Sequence, residues 1–480
     1  MESVWNFISP EPWSFGELFE ALRQAPMYHI VVEIVLIVFI IRLLLTKSYP
    51  IESNELTEAE KEELIQDWEP EPLVPYTPED HPDLKPRVVT KQSPTSLVVN
   101  GKEGINMATL NFLGMIGRKE TEEAGLKAAA TYGVGSCGPR GFYGTIDVHL
   151  FLEEKLAQFF GVEQAILYSY GFSTVASAIP AYAKRGDIIY CDEGVSFPIQ
   201  MGLLASRSKL KFFKQNDMDD LQRLLEDQES LDKKNPKKAK VTRKFLVVEG
   251  LYGNYGTIVP IAKLIEFKYK YKVRIFMDES YSFGVLGATG RGVTEYANVK
   301  IEDVDLITIS MEMALGTMGG FCLGTQYVID HQSLCGLGYC FSASLPPLLA
   351  SAAHAAIDCL EEDPGMCERL RNKASYVHEK LNQIDGITVS GALISPVKHV
   401  RLAESIGDIE SDKNLLQSVV DKALDRGLVL SVAKYLEDEE SFLPPPSIRV
   451  TVNTELTEEM LDKGVSILKD LLEEATQASS

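Results

Sequence analysis

Short apolar runs alternate with helix-like stretches from about residue 95 onward. The runs suit β-strands and lie at 165–168, 187–190, 211–213, 245–248, 274–277 and 306–309. Stretches between them, such as 218–228 and 261–271, have the spacing of apolar and polar positions that is typical of helices. Continuous apolar strands that alternate with helices predict an α/β domain with a mainly parallel sheet covered on both faces.

A second α/β pattern ends the chain. After residue 321 the sequence predicts helices at 348–360 and 364–383, strands at 386–390 and 447–452, and a closing helix at 457–474. We therefore predict a large domain at 95–345 and a smaller C-terminal α/β domain at 346–480.

The N-terminal 50 residues contain one long apolar stretch. Residues 30–45 are apolar except for Glu33 and Arg42, and residues 27–29 bring the stretch close to the roughly 20 residues of a spanning helix. A signal peptide is disfavoured because no basic region precedes the stretch and no small-residue cleavage site follows it. Arg42 and Lys47 flank its C-terminal side, which places the globular body in the cytosol. We predict a segment at 1–50 with a membrane helix at about 27–46, either single-pass or deeply interfacial; a buried globular helix is the alternative.

The next segment, 51–94, contains an amphipathic helix and a Pro-rich arm. The helix is expected at 52–68, with Thr57 as N-cap and Glu60 three residues later, which is the spacing of a capping box. The prolines of 69–86 cannot continue that helix, so an extended arm follows. Such an arm serves either as a tether or as a strap along a partner surface.

Composition excludes several classes of protein. The 480 residues include 45% hydrophobic and 24% charged residues, which is typical of a globular protein with a large core. The formal net charge of −22 argues against non-specific nucleic-acid binding. The seven cysteines lack the paired spacings of a zinc site, and their odd number favours free thiols in a reducing compartment. No metal site is expected.

Candidate chemistry lies just after the predicted strands, where ligands bind in such folds. Asp278 follows one strand, where a carboxylate can pair with a protonated pyridine nitrogen; an acidic helix cap is the alternative. Gly171 opens a predicted helix whose N-terminus favours a phosphate, although such turns are common. Gly319 and Gly320 permit close packing behind the next loop, or simply form a turn.

Five segments together resemble the α-oxoamine synthase family of fold-type I enzymes that use pyridoxal phosphate (PLP). They are YGVGSCGPRGFYGT at 132–145, SYGFST at 169–174, DESYSFGVLGATGRG at 278–292, MALGTMGGF at 313–321 and FSASLPP at 341–347. The resemblance covers roughly residues 95–475 and implies a fold-type I PLP-transferase-like fold. It also implies a cofactor-type site that includes Gly171, Phe172, Asp278, Gly319 and Gly320.

The chain departs from the catalytic pattern of that family at three positions. Met313 stands where the resemblance places the lysine that holds PLP as an imine, and no lysine occurs between Lys300 and Lys373. Ser196 and Tyr281 stand where the family has histidines. Because a thioether cannot form an imine or transfer a proton, we expect no catalytic residue in this chain and no covalently bound cofactor.

The resemblance further implies a heterodimer. Family members are dimers that share active sites at the subunit interface, so a silent chain can complete the site of a catalytic partner that binds PLP. Ser342, with Ala343 beside it, would reach the phosphate of the partner's cofactor, and the loop with Cys137 and Arg140 would lie close by. A small buried residue is the alternative for Cys137. Arg449 matches the family's substrate-carboxylate arginine, or is a relic or a member of an ion pair.

Within this family, the N-terminal segment and the PEPLVP arm resemble a non-catalytic subunit of the branch that condenses L-serine with palmitoyl-CoA to 3-oxosphinganine. This implies a single-pass protein of the endoplasmic reticulum membrane, with small membrane regulatory subunits as further partners. One alternative is an autonomous PLP-dependent acyltransferase that uses an unrecognised lysine, although Lys300 and Lys373 lie in polar segments. The other is a pure scaffold or regulatory pseudoenzyme.

Overall fold

The computed structural model of the protein describes residues 23–45, 56–70, 72–74, 76–79, 81 and 84–479. Lys47 and the start of the predicted helix at 52–68 lie outside these residues. The chain forms two units, one of residues 1–85 and one of residues 86–480.

The described residues of the N-terminal unit include two complete helices, both expected from the sequence. Helix α1 (Met27–Leu45) has 19 residues and a mean hydropathy of 2.5, so it is long and apolar enough to cross a membrane. Helix α2 (Glu58–Asp67) begins with the predicted capping box. The Glu60 amide donates to Thr57 Oγ1 at 3.3 Å, and the Thr57 amide donates to Glu60 Oε2 at 2.7 Å.

The main sheet of the second unit has seven strands in the order β4-β10-β9-β8-β7-β5-β6. Strand β10 alone runs antiparallel to its neighbours, so the predicted mainly parallel sheet is confirmed. Its strands are β4 (Gln164–Tyr168), β5 (Ile188–Asp192), β6 (Lys209–Phe213), β7 (Lys244–Glu249), β8 (Arg274–Asp278), β9 (Leu306–Ser310) and β10 (Gly320–Gly324). Because these strands are buried on both faces, they read as continuous apolar runs.

Helices connect and cover these strands. They are α3 (Lys119–Tyr132), α4 (Asp147–Phe160), α5 (Gly171–Tyr182), α6 (Phe197–Ser206), α7 (Met218–Lys234), α8 (Pro236–Ala239), α9 (Ile261–Tyr271), α10 (Val293–Tyr296), α11 (Gln326–Cys335), α12 (Leu337–Cys340), α13 (Pro347–Glu362) and α14 (Gly365–Leu381). One continuous apolar core joins the sheet to them.

Two smaller sheets accompany the C-terminal part. One has the order β11-β12-β15-β14, with β11 (Ile387–Ser390), β12 (Val397–Leu402), β14 (Ser431–Val432) and β15 (Ile448–Thr451). The other has the order β1-β2-β3-β13, with β1 (Val89–Gln92), β2 (Ser96–Val99), β3 (Lys102–Asn106) and β13 (Leu428–Val429). Helices α15 (Ile409–Asp425) and α16 (Glu458–Ser479) complete the second apolar core.

The large and the C-terminal parts of the second unit are joined by strand pairing and by helix packing. Strand β3 pairs with β13, which brings residues near 100 to the C-terminal part. Helix α13 buries its apolar face in the first core, and α14 contributes Leu370 to the first core and Val377 to the second. The domain boundaries at 95–345 and 346–480 stay a prediction, because β3, α13 and α14 each contact elements that lie across those boundaries.

Lys398 generates a prediction about pH and stability. This β12 residue is fully buried, and its ammonium donates to the carbonyl oxygens of Ala392 and Leu393. Burial lowers the pKa of Lys398 to about 7, from 10.5. The unfolded chain therefore binds this proton more tightly than the folded chain does. As far as Lys398 is concerned, the free energy of unfolding is highest above about pH 10.5 and decreases as pH falls toward about 7.

We expect Lys398→Met to remove about 1.4 kcal/mol per pH unit from the pH dependence of unfolding between about pH 7.5 and 9.5. Denaturant unfolding of the detergent-solubilised full chain measures this slope. Lys240→Met, at an exposed lysine, is the control. Parallel slopes for Lys398→Met and the unaltered chain would contradict the prediction.

Candidate functional site

The carboxyl ends of three adjacent strands bring polar side chains together. Glu249 ends β7, Asp278 ends β8, and Thr308 lies on β9, and the parallel register pairs Glu249 with Asp278 and Asp278 with Thr308. Because parallel strands end at one edge of the sheet, this edge is where a ligand is expected.

Both carboxylates at this edge are buried and hydrogen-bonded. Asp278 accepts from Thr308 Oγ1 at 2.7 Å and from the Ser280 amide at 3.0 Å. Burial raises the pKa of Asp278, although these hydrogen bonds act in the opposite direction. Glu249 accepts from the amides of Ser196 and Gly253, and burial, followed by the charge of Asp278, raises its pKa to about 8. Burial at this edge therefore favours the protonated, neutral forms of Asp278 and Glu249.

A cavity of about 490 Å³ opens above these strand ends. It is mostly apolar, with hydroxyls and two carboxylates on its wall, and it is lined by Tyr170, Gly171, Phe172, Ser173, Val175, Ser196, Pro198, Asp278, Ser280, Tyr281, Ser310, Glu312 and Met313. The structure thus brings together Gly171, Phe172, Asp278, Ser196, Tyr281 and Met313, which the sequence analysis singled out separately.

Close packing requires glycine at two of the predicted positions. A Cβ on Gly171 would lie 2.3 Å from Ser310 Oγ, and one on Gly320 would lie 2.2 Å from Thr174 Oγ1. These glycines let α5 lie directly against β9 and β10, so that its N-terminus borders the cavity. Gly319 adopts φ +117° in the turn that begins β10, a conformation that favours glycine.

The three departures from the catalytic pattern all border the cavity. The Met313 side chain is partly buried on its wall. The Ser196 amide is held by Glu249, and Ser196 precedes α6. The Tyr281 ring packs 6.3 Å from the Phe112 ring, and burial raises the pKa of Tyr281 to about 12.

These wall residues do not fit a PLP that is held as an imine. Asp278 is placed for a pyridinium nitrogen and the α5 N-terminus for a phosphate, which fits part of the group. However, no lysine, arginine or histidine is among the described residues that line the cavity, and Glu312 adds a carboxylate. An anionic cofactor would therefore lack both its covalent partner and a cationic one.

Two loops predicted to face a partner are fastened to each other beside this cavity. Ser136 Oγ donates to the Ser344 carbonyl at 2.8 Å, and the Ser344 amide donates to the Gly138 carbonyl at 2.9 Å. Ser169 Oγ donates to the Ala343 carbonyl, which joins the loops to the start of α5. We call the segments 134–145 and 337–345 the paired loops.

The paired loops are apolar and exposed. Cys137 is exposed with φ +62°, which is inconsistent with the alternative of a small buried residue. Ser342 is partly exposed and Ala343 is exposed. Exposed large side chains on these segments are Val134, Phe142, Tyr143, Leu337 and Phe341. Several exposed large apolar side chains on two loops that are fastened together are typical of a protein–protein interface.

Arg140 supports the paired loops from within. Its guanidinium forms two hydrogen bonds with the Glu153 carboxylate, at 2.7 and 2.9 Å, and only 6% of its side chain is exposed. Glu153 also accepts from the Leu167 amide of β4. The role of Arg140 at an interface stays a prediction, and the structure shows it holding its own loop to the sheet.

Arg449 lies on β15 and not on the cavity wall. Its Nη2 donates to the Ala108 carbonyl at 3.4 Å, and its Nε is buried with no partner. No ion pair to a carboxylate is found for it among the described residues. The described part of the chain therefore does not support the alternative that Arg449 belongs to a structural ion pair.

Sequence reasoning missed Glu249 and Glu312. Glu249 directly follows the apolar run 245–248, so inspection of every strand end would have found it. Glu312 carries no such signal, since it lies inside the loop that the resemblance defines. Among the described residues, no group of three His, Cys, Asp or Glu side chains is arranged to hold a metal ion, and all seven cysteines are free.

Comparisons with known proteins agree with this architecture. A sequence profile of the family described as Aminotransferase class I and II matches residues 102–468. The chain is 44% identical to Serine palmitoyltransferase 1 of Dictyostelium discoideum over 444 residues, 90% of this chain and 91% of that protein. It is 42% identical to Long chain base biosynthesis protein 1 of Arabidopsis thaliana over 446 residues, 93% and 92% of the two chains.

Solved structures are similar as well. A serine palmitoyltransferase from S. paucimobilis with a bound PLP–myriocin aldimine matches with a TM-score of 0.74 and 25% identity, over 82% of this chain and 93% of that chain. An 8-amino-7-oxononanoate synthase from Francisella tularensis matches with a TM-score of 0.63 and 21% identity, over 78% and 99%, and shows the fold alone. The predicted fold-type I PLP-transferase fold is therefore confirmed.

The Arg140–Glu153 pair generates a stability prediction. Arg140→Gln leaves the Glu153 carboxylate largely buried without its cation, which we expect to destabilise the chain by about 3–5 kcal/mol. Denaturant unfolding of the full chain measures the loss. Lys119→Gln is the control, because its pair with Glu123 is exposed and such pairs contribute about 0–1 kcal/mol. Equal effects of the two substitutions would contradict the buried-pair interpretation.

Proposed function

The chain belongs to the class I and II aminotransferase family, in the group of serine palmitoyltransferase 1 and long chain base biosynthesis protein 1, and we propose that it is a non-catalytic but required subunit of serine palmitoyltransferase. The complex condenses L-serine with palmitoyl-CoA to 3-oxosphinganine. A catalytic partner subunit supplies the lysine and binds PLP. This chain completes the partner's active site and places the complex at the membrane.

One observation carries this proposal: Met313 lies on the cavity wall where the resemblance places the lysine. The two lysines that flank this loop in the sequence lie elsewhere. Lys300 is exposed, and Lys373 donates to the Thr454 carbonyl. Neither is among the residues that line the cavity. This argues against an autonomous PLP-dependent enzyme that uses an unrecognised lysine.

The paired loops support the role at the partner's active site. Ser342 and Cys137 lie on the paired loops, which hydrogen bonds join to each other and to the start of α5. Arg140 holds its own loop in place through its hydrogen bonds to Glu153. An isolated chain would leave Phe142, Tyr143 and Phe341 in water. Burying them against a partner stabilises the complex and presents the Ser342 hydroxyl to the partner's site.

Helix α1 supports a membrane role. Its length and hydropathy suit a single pass, and the substrate acyl chain and product are both hydrophobic. We place the anchor in the endoplasmic reticulum membrane with the globular body in the cytosol. Small membrane regulatory subunits are expected to bind near this helix, because its His29–Glu33 pair, at 3.5 Å, is costly to expose to lipid.

The first test is spectroscopic. The chain purified alone, incubated with one equivalent of PLP and reduced with borohydride, is expected to carry no stoichiometric adduct on any single lysine, because it offers no amine at the cavity. The heterodimer is expected to form a stoichiometric reducible imine on the partner alone, located by peptide mapping, and to show a serine-dependent spectral change. A stoichiometric reduced PLP adduct on one lysine of this chain would overturn the proposal in favour of the autonomous enzyme.

The second test separates a shared active site from a pure scaffold. Ser342→Ala is expected to lower kcat of the heterodimer at least tenfold, because the partner's cofactor phosphate loses a hydroxyl donor, while size-exclusion chromatography shows intact assembly. Ser405→Ala, at an exposed loop serine, is the matched control and keeps full activity. Unchanged kcat in Ser342→Ala would support the scaffold instead.

A further inference from the structure

A second cluster of polar side chains lies on one face of the C-terminal sheet, away from the cavity wall. Arg449 on β15 lies directly opposite His399 on β12 and Ser431 on β14. Arg401 lies two residues beyond His399 on β12, so it projects from the same face. Directly opposed and diagonal residues on one sheet face are within reach of long side chains. Two arginines thus share one small surface.

This cluster contains an unusual number of buried polar atoms with no partner. They are Arg401 Nε and Nη2, Arg449 Nε, Ser431 Oγ and Tyr435 OH. All five can donate a hydrogen bond. Buried donors in folded proteins are nearly always satisfied, so five unsatisfied donors in one cluster indicate a missing acceptor.

The carboxylates near the cluster act on its tyrosines: Glu440 on Tyr435, and Asp192 and Glu193 on Tyr255. The Arg401 guanidinium carbon lies 5.6 Å from the centre of the Tyr255 ring, and Tyr435 lies beside both arginines. Burial lowers the pKa of Arg401, and the groups that act on it are Tyr435 and Tyr255 rather than a carboxylate. Among the described residues neither Arg401 nor Arg449 forms an ion pair. Two partly buried guanidinium groups without an ion-pair partner are costly.

His399 cannot supply the missing acceptor. One ring nitrogen bonds Ser447 Oγ at 2.9 Å and the other bonds the Gly253 carbonyl at 2.9 Å. Burial lowers the pKa of His399 to about 4, so it adds no charge. Water could satisfy the hydroxyls, but it would leave the two positive charges uncompensated.

We propose that Arg401, Arg449, Ser431 and Tyr435 form a binding site for a phosphate monoester group. Two guanidinium groups match a dianion, and five donors match three strong acceptor oxygens better than the two of a carboxylate. The resemblance assigns Arg449 to a substrate carboxylate. The proposed site differs in its ligand and also includes Arg401, Ser431 and Tyr435. It does not depend on the proposed function, because binding is a property of this chain alone.

The site adjoins the cavity through one shared segment. Tyr281, on the cavity wall, contacts Gly253, whose carbonyl accepts from His399, and the charge of Arg449 acts on the Tyr281 phenol. A ligand that spans both sites would place its phosphate on the sheet face and its remainder toward the cavity. The phosphate comes either from a coenzyme A-type ligand, which rests on the proposed function, or from a free phosphorylated metabolite.

Calorimetric titration of the full-length chain in detergent tests the site with three probes: inorganic phosphate, coenzyme A and dephospho-coenzyme A. We expect inorganic phosphate to bind, with an affinity reduced at least tenfold by Arg401→Gln. Tighter binding of coenzyme A than of its dephosphorylated form points to the coenzyme as source. Equal binding of both forms, with phosphate still bound, points to a free metabolite.

Two further variants keep the test sharp. Tyr435→Phe removes a hydroxyl that has no protein partner, so it preserves folding and is expected to weaken phosphate binding severalfold. Arg426→Gln, which breaks a pair with Glu474 on the surface, is the matched control and leaves binding unchanged. No phosphate binding at tens of millimolar, or equal affinity in Arg401→Gln, would overturn the proposal and leave water as the only occupant.

Because these titrations measure binding to the isolated chain, their failure would not touch the heterodimer. Failure of the imine and turnover tests would in turn leave a measured phosphate affinity standing.

Discussion

The alignment of parallel strand ends is the constraint on which the rest of the molecule depends. The register of β7, β8 and β9 places Glu249, Asp278 and Thr308 side by side in apolar surroundings. Backbone amides and hydroxyls satisfy these acids, so the edge is stable without a cation. A polar edge of this kind normally exists to hold a ligand. Here it persists although its wall has no amine, which means that the fold does not need the chemistry to form.

Retention of that edge makes the paired loops possible. They are fastened to the start of α5 by Ser169 and to the sheet by Arg140 and Glu153. Both attachments depend on β4 and on the close approach of α5 at Gly171. The close packing of α5 therefore supports both the cavity, whose wall includes Gly171, and the paired loops. If the chain is a non-catalytic subunit, as proposed, this shared support is a physical reason for its cavity to remain well formed.

Much of this architecture follows from the sequence. The buried strands of the main sheet are continuous apolar runs. Asp278 and Gly171 follow such runs, and Met313 lies in the loop that the resemblance defines. The reversed strand β10 and the short strands near residue 100 were missed. Asn100 and Gly101, both with positive φ, form the turn between β2 and β3, and the Asn-Gly pair is the signal that could have revealed it. No sequence signal marks Arg401, because it is notable for two buried nitrogen atoms without a hydrogen-bond partner, which only the structure shows.

The distribution of charge separates the two sites. The cavity wall has two carboxylates and no cation among the described residues, whereas the sheet face has two arginines. Among the described residues, no carboxylate of the cavity wall forms an ion pair with these arginines. Burial instead raises the pKa of Asp278 and lowers that of Arg401, so each site carries its own desolvation cost. Under the proposed function, bound ligands or the partner subunit would reduce that cost.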